Sequence, residues 1–294
     1  MIHQFRKLLQ NNLFFRKIVG YHLASSGLFD KMIIKYQLSE SWKLRIAQVL
    51  SSEDNLFIPR VEQAGKIKGG KQIMHNGLKI HLGSYYGPEY AQMLIRSKGV
   101  HEPQEERVFQ EILKFMPNGA TMVEMGAFWS FYSMWFQSKV SGANNFMVEP
   151  DAFNMGQGKR NFKLNGFKGE FTQAFIGRTA SNEGIVKTIS VDSYIAEKNI
   201  EHVNILHSDI QGFEFDMLQG AKKSIERGVI DFIFISTHSN ELHFKCLDFL
   251  KKLEFHIIAH ADINTTFSED GLIVASSKNI LDKFEINISQ RGRV

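Results

Sequence analysis

The chain has 294 residues, 43% hydrophobic and 22% charged, with a net charge of +4. That balance describes an ordinary soluble globular protein, and no basic run or basic–aromatic module points to nucleic acid. One cysteine, Cys246, excludes an internal disulfide and a cysteine zinc site. No apolar run reaches the roughly 20 residues of a membrane span. The basic start, Met1 to Lys7, is followed by Asn11, Asn12, Arg16 and Lys17, which interrupt any signal-peptide core, so the sequence predicts a cytoplasmic protein.

Residues 1 to about 66 read as a helical N-terminal extension. Phe5, Leu8, Leu9, Phe14, Phe15, Ile18 and Val19 fall near helical spacing, and a second stretch runs from Ser39 to Leu50. With Arg6, Lys7, Arg16 and Lys17 the first stretch is compatible with peripheral contact with a membrane surface. It is equally compatible with packing on the main domain or on a second copy in a homo-oligomer, and packing is the ordinary use of such a helix. Residues 67–102 form a β-hairpin and a connecting segment. Gln72–His75 and Leu78–Leu82 flank Asn76-Gly77, which predicts a two-residue turn with both central residues at positive φ.

A helix over Pro103–Met116 opens the main domain, 103–294, and Pro117-Asn118-Gly119 leads into its first strand. Strands are expected near 121–125, 145–149, 169–175, 203–208, 231–236, 255–260 and 271–276. Helices are expected near 128–140, 153–164, 192–198, 213–226 and 240–252. Short apolar strands alternating with helices imply an α/β fold with a mostly parallel sheet covered on both faces. The last two strands are joined by a loop alone, which predicts an antiparallel pair.

In such a sheet, ligands bind outside the carboxyl ends of the strands, where the strand order reverses. The strand-end residues are Glu124, Glu149, Phe175, Asp209 and the stretch Ser236–His238. Gly126-Ala127 makes the first turn, and Gly126 allows close backbone approach. Glu149 lies about 23 residues past Gly126, near the spacing of roughly 20 at which a carboxylate meets a nucleotide ribose. The full Gly-x-Gly-x-x-Gly of a pyrophosphate binder is absent, since Phe128 and Phe131 follow Gly126. A first-strand acid also repels a diphosphate and attracts an ammonium. S-adenosylmethionine carries that ammonium and a ribose but no phosphate, so it fits better than a nicotinamide dinucleotide.

The run His207-Ser208-Asp209-Ile210-Gln211-Gly212-Phe213-Glu214-Phe215-Asp216-Met217-Leu218-Gln219-Gly220-Ala221 resembles the Asp-x-Glu-Gly-x-Glu-x-x-x-Leu-x-Gly-Ala motif of FkbM-type S-adenosylmethionine-dependent methyltransferases. Val191-Asp192-Ser193, Glu124-x-Gly126-Ala127 and Val148-Glu149-Pro150 resemble three further motifs of that family, in the family's order. The resemblance covers about 103–276 and implies a Rossmann-like seven-stranded methyltransferase sheet with its last strand antiparallel. By the same resemblance Glu124, Gly126 and Ala127 hold the methionine part of the cofactor, Glu149 its ribose, and Ala174-Phe175 approach adenine. Asp209 and Glu214 then sit near the methyl group or the acceptor, with Gln211 beside them.

Four positions depart from the family pattern: Phe128 replaces Asn, Ser130 a Gly, His207 a Lys and Gln211 the first Glu. Loss of that carboxylate weighs against a hard divalent metal, which wants several oxygen ligands, and no metal is expected. The implied activity is O-methylation of a hydroxyl on a sugar, glycan or specialised metabolite. Its candidate general bases are His238, for its near-neutral pKa, and Asp209. Strand alternation points His207 away from the crevice. His256, His260 and Cys246 read as structural, and Asp192 as a helix N-cap. Two alternatives stay open: a non-catalytic paralogue acting as an assembly partner, and a nicotinamide-dependent oxidoreductase.

Overall fold

The computed structural model describes residue 20, residues 22–278 and residues 285–292. The helix expected over Phe5–Val19, with its membrane or packing surface, lies outside the described residues. No described helix is long and apolar enough to cross a membrane. The contacts divide the chain into two units, one of the described residues up to Ile46 with Pro59–Val100, the other of Ala47–Ile58 with the described residues from His101 onward.

The first unit contains helix α1 (Asp30–Ile34), the first part of α2 (Glu40–Ser51), a three-stranded antiparallel sheet of β1 (Ile67–Lys68), β2 (Lys71–Ile73) and β3 (Lys79–His81), and α3 (Pro88–Arg96). Gln92 of α3 is buried and donates to the carbonyls of Ile33 and Ile34, at 2.6 and 2.8 Å, satisfying the end of α1. The hairpin forms, but its turn is not the expected one. Only Gly77 has positive φ, at 89°, and the register pairs Gln72 with Ile80. The Gly77 amide donates to Met74 O and the Met74 amide to Leu78 O, closing a three-residue loop with glycine in the left-handed position. The Asn76 side chain accepts from the Leu78 amide instead of forcing Asn76 itself into positive φ.

The second unit is built on seven strands. In chain order it runs α4 (Pro103–Leu113), β4 (Thr121–Met125), α5 (Phe131–Lys139), β5 (Asn144–Val148), α6 (Ala152–Leu164), β6 (Glu170–Thr172), β7 (Phe175–Ile176), β8 (Thr188–Ile189) and α7 (Val191–Glu197). It continues with β9 (Val203–Ser208), α8 (Glu214–Gly220), α9 (Lys222–Glu226), β10 (Ile230–Thr237), α10 (Asn240–Lys252), β11 (His256–Ala261) and β12 (Gly271–Ser276). The sheet order is β11-β12-β10-β9-β4-β5-β6. Strands β6, β5, β4, β9 and β10 pair in parallel, and β12 is antiparallel to both neighbours, as the missing final helix predicts. The order reverses at β4, with β5 on one side and β9 on the other, so the crevice opens past the ends of β4 and β9.

Each sheet face has its own chemistry. Val123, Met125, Val148, Leu206, Ile233 and Ile235 line one face and pack on residues of α7, α8 and α10, including Tyr194, Met217 and Cys246. Burial pushes the Cys246 thiol up to about 12, in keeping with a structural role. On the other face Glu124, His207 and Phe234 stand in register across β4, β9 and β10. Phe109 of α4 and Tyr132 of α5 cover them, with ring centroids 5.4 Å from Phe234 and 4.4 Å from His207.

Two elements break where the sequence predicts continuity. The strand expected over 169–175 leaves the sheet after Thr172, and Phe175 begins a separate two-stranded parallel ladder with β8. Ala174 is thereby buried in the apolar core rather than placed at the end of a sheet strand. The helix expected over 213–226 divides at Gly220-Ala221, where the chain packs so closely on Gly177 that a Cβ at Gly220 would lie 2.6 Å from Gly177 O. Asp192 seals the second piece: its carboxylate accepts from the amides of Lys223 and Ser224 and from the Ser224 hydroxyl. The N-cap of α7 is Ser190, in a reciprocal capping box with Ser193, so Asp192 caps a neighbouring helix and not its own.

Helix α5 starts three residues later than expected because the turn after β4 is strained. Gly126, Phe128 and Ser130 all have positive φ, at 79°, 36° and 59°. The family's glycine position is thus occupied by a serine that keeps the glycine conformation. A Cβ at Gly158 of α6 would lie 2.3 Å from Ser130 Oγ, so the missing Gly158 side chain makes the room for it. The hydroxyl is buried and has no hydrogen-bond partner. Ser130→Gly should therefore raise stability by about 1 kcal/mol, read as a higher denaturant midpoint. A lower midpoint would mean that the hydroxyl contributes more than the strained backbone costs.

Candidate active site

The turn after β4 is seated on the loop after β9. A Cβ at Gly126 would stand 1.8 Å from the carbonyl oxygen of Asp209, and the Asp209 amide donates to Met125 O at 3.0 Å. Glycine is required here by another part of the chain, where the sequence suggested only approach by a ligand. The amides of Gly126 and Ala127 both donate to Val148 O, which ties the turn to β5 as well.

Glu149 follows β5 and is buried. Its Oε2 accepts from the Phe128 amide at 3.1 Å and its Oε1 from the Asp151 amide at 2.9 Å. Burial raises its pKa and these two amides oppose the rise. The carboxylate is thus clamped between the glycine turn and the start of α6, just past the end of β5.

Glu124 is 3% exposed and shares its sheet face with His207, its register partner. It is not open at the crevice mouth, as a simple strand-end reading would have it. It lies under the first turn of α5, where the Ser133 hydroxyl and amide face it. Burial pushes its carboxyl up to about 7, against the pull of His207 and Ser133. Its Oε2 has no partner, and neither have Ser130 Oγ, Ser208 Oγ or His207 Nδ1 nearby in the turn and the strand ends.

Behind Glu124 a polar network fills the space under α4. Glu105 binds His207 Nε2 at 2.6 Å and accepts from Ser236 Oγ at 3.2 Å. Tyr132 donates to Glu102 at 2.9 Å, and His101 Nδ1 lies 2.6 Å from Glu106. His207 points into this network, as strand alternation requires, and Glu105 raises its pKa despite burial. The sequence did not reveal this network, because acids at the start of a helix read as partners of its dipole.

Past the ends of β9 and β10 the remaining predicted residues converge on His238. Its Nδ1 lies 2.6 Å from Glu214 Oε1, while its Nε2 lies 3.3 Å from Asp209 Oδ1, 3.3 Å from Asp270 Oδ1 and 2.8 Å from the Gln211 amide. Asp270 is absent from the sequence-based list. A signal for it exists: β12 is antiparallel, so its first residues, not its last, lie at the carboxyl edge of the parallel strands, with Gly271 opposite Thr237. Glu214 is fully buried, and its Oε1 also accepts from the Gly212 amide, so it positions His238 and does not face an acceptor. Burial alone would lower the His238 pKa, but Asp209, Glu214 and Asp270 push it up to about 10. Raised that far, His238 holds its proton near neutral pH while no cation competes for it, and is then a poor general base.

Residues 156–257 match the family model of the methyltransferase FkbM domain. This FkbM methyltransferase domain match lies within the second unit. No curated protein matches the sequence. Among solved structures, a precorrin-6y C5,15-methyltransferase from Geobacter metallireducens GS-15 is similar at 14% identity, covering 60% of this chain and 89% of its own, with a TM-score of 0.43. A ribosomal protein L11 methylase from Lactobacillus delbrueckii subsp. bulgaricus has 11% identity, coverage of 61% and 81%, and a TM-score of 0.42. M. capricolum TrmK in complex with S-adenosyl-homocysteine has 12% identity, coverage of 60% and 71%, and a TM-score of 0.41.

The FkbM domain makes the protein an S-adenosylmethionine-dependent methyltransferase. The unpartnered Glu124 oxygen and the serine hydroxyls around the turn suit the ammonium and carboxylate of an amino acid, so the residues present fit that cofactor. The carboxylates around His238 make its charge state testable by pH. The His238 pKa is raised above the unfolded value of 6.5, so its stabilising effect is full below pH 6.5 and fades as pH rises through about 10. The His238 ring should therefore remain doubly protonated at pH 8 by nitrogen-15 NMR of metal-stripped protein. A neutral ring at that pH would show that the three carboxylates do not act on it together.

Proposed function

We propose that the protein transfers the methyl group of S-adenosylmethionine to a hydroxyl oxygen of a sugar, glycan or specialised metabolite. One observation carries this reading: a buried, unpartnered carboxylate oxygen on Glu124 and a rim of oxygen acceptors around Asp209 meet at one switch point. The cofactor supplies an electrophilic methyl group on a sulfonium. Glu124 offers its oxygen to the ammonium, Gly126 and Ala127 shape the turn above it, and Glu149 offers its remaining lone pairs to the ribose. Phe175 keeps a half-exposed ring as the adenine contact, over the buried Ala174.

The rim chemistry supports a hydroxyl acceptor. Asp209, Asp270 and the amide of Gln211 can accept hydrogen bonds from a polyol, and the two aspartates repel a phosphorylated or carboxylated molecule. A hydroxyl is a weak nucleophile, so alignment of the reacting atoms must supply much of the rate, on the order of 7–11 kcal/mol in favourable cases. With His238 holding its own proton, Asp209 is the group placed to receive the proton of the acceptor hydroxyl.

Calorimetry with S-adenosylhomocysteine tests the cofactor assignment, and absence of binding at millimolar ligand would favour the assembly-partner alternative. Below pH 7 Glu124 keeps its proton and must release it to hold an ammonium. Affinity should therefore climb by up to about tenfold per pH unit as pH approaches 7 and flatten above it. In Glu124→Gln that rise should vanish; a slope equal to wild type would assign the ammonium elsewhere. Glu149→Ala should weaken binding at least about tenfold, the scale of one lost charge-assisted hydrogen bond. Asp209→Asn should lower kcat by about 10²-fold or more while leaving that affinity nearly unchanged. Unaltered turnover would end its role as the base.

A further inference from the structure

The cluster around His238 is oddly spaced for hydrogen bonding alone. Nδ1 sits 2.6 Å from Glu214, the distance of a strong charge-assisted bond, yet Nε2 lies 3.3 Å from Asp209 Oδ1 and 3.3 Å from Asp270 Oδ1. One N–H cannot point at both aspartates together, and the Gln211 atom 2.8 Å from Nε2 is the amide nitrogen, itself a donor. Asp209 Oδ1 is buried and has no hydrogen-bond partner. The three candidate ligand atoms lie within 4.8 Å of one another. A cation about 2.1 Å from two ligands at right angles holds them about 3.0 Å apart, close to both 3.3 Å separations.

A second observation comes from outside the aspartate pair. Glu214 is fully buried, is aimed into the cluster through Oε1, and keeps Oε2 without a partner. A carboxylate that holds one ring nitrogen of a histidine fixes the tautomer and turns the other nitrogen toward a metal. Three carboxylates around one imidazole also leave the cluster with a net negative charge even when the ring is protonated, which a divalent cation would neutralise. We propose that Asp209, His238 and Asp270 bind one divalent cation of the Mn²⁺ or Mg²⁺ class, with Glu214 orienting the histidine. Two carboxylates and one imidazole suit such a cation, with water or an acceptor oxygen completing its shell. This reverses the expectation of no metal, because Asp270 restores the carboxylate that Gln211 removes. The site rests on the proposed methyl transfer only for its use, which is to hold an acceptor oxygen and ease loss of its proton.

Mn²⁺ binding to the tag-free, chelator-treated full chain, read by electron paramagnetic resonance, tests the site without reference to activity. About one equivalent should bind, with Mg²⁺ competing. Asp270→Asn and Asp209→Asn should each abolish it while keeping the wild-type melting transition. Glu214→Gln should weaken it by about 10–100-fold, as loss of an orienting group does. No binding at millimolar Mn²⁺, or undiminished binding by folded Asp270→Asn, overturns the proposal. S-adenosylhomocysteine calorimetry on the same samples separates the two failures: retained cofactor binding without metal binding sinks only the cation site. If Asp270→Asn does not fold, Asp209→Asn alone decides.

Discussion

The contact between Gly126 and the Asp209 carbonyl sets the positions of almost everything else in the active site. With 1.8 Å between a hypothetical Cβ and that oxygen, no side chain fits, and the turn after β4 can only lie flat on the loop after β9. Once it does, the Asp209 amide is bound to Met125 O and the amides of Gly126 and Ala127 are bound to Val148 O. Three adjacent parallel strands are then tied together at their carboxyl ends. The turn cannot relax toward α6 either, because Glu149 clamps the Phe128 amide and Gly158 meets Ser130. Strain at Phe128 and Ser130 is the cost of holding the crevice at one width.

Charge is distributed around that crevice in two separate groups. Under α4 the acids Glu102, Glu105 and Glu106 are matched by His101 and His207, so burial is offset by pairing. Glu124 borders this group, and burial pushes its carboxyl up to about 7 against the pull of His207 and Ser133. The other group, around His238, has more acid than base. A buried carboxylate without a partner and an acid-rich rim are both unfavourable in isolation, and both become favourable when a cation arrives. The amino-acid end of the cofactor answers the first.

Much of this architecture was legible because it rests on periodicity and strand ends. The seven strands, the antiparallel last strand and the placing of Glu149 and Asp209 beside the crevice all follow from apolar runs and the residues that end them. What escaped depends on contacts between distant parts of the chain. The break at Thr172 and the split at Gly220 arise from neighbours roughly 15 to 40 residues away, which local propensity cannot register. The hairpin loop was misjudged because Asn76-Gly77 also fits a longer loop in which glycine alone takes positive φ. Asp270 was missed because strand-end reasoning was applied to last residues, whereas an antiparallel strand brings its first residues to the crevice.

The Gln211 replacement, which looked like a loss when read against the family pattern, has an electrostatic reason once the rim is seen. A glutamate at that position would place a fourth carboxylate next to His238, beside Asp209, Asp270 and Glu214. Each added like charge at these distances is repulsive in a partly desolvated cluster, and Asp270 is already held up at about 7 by burial and its acidic neighbours. A glutamine places a neutral amide there, with its nitrogen 2.8 Å from His238 Nε2, without the charge. The left-handed φ of 54° at Gln211 and the following Gly212 hold that amide over the ring. The neutral amide at Gln211 and the acid at Asp270 are therefore two halves of one arrangement, in which the carboxylate sits just before β12 and not on the loop after β9.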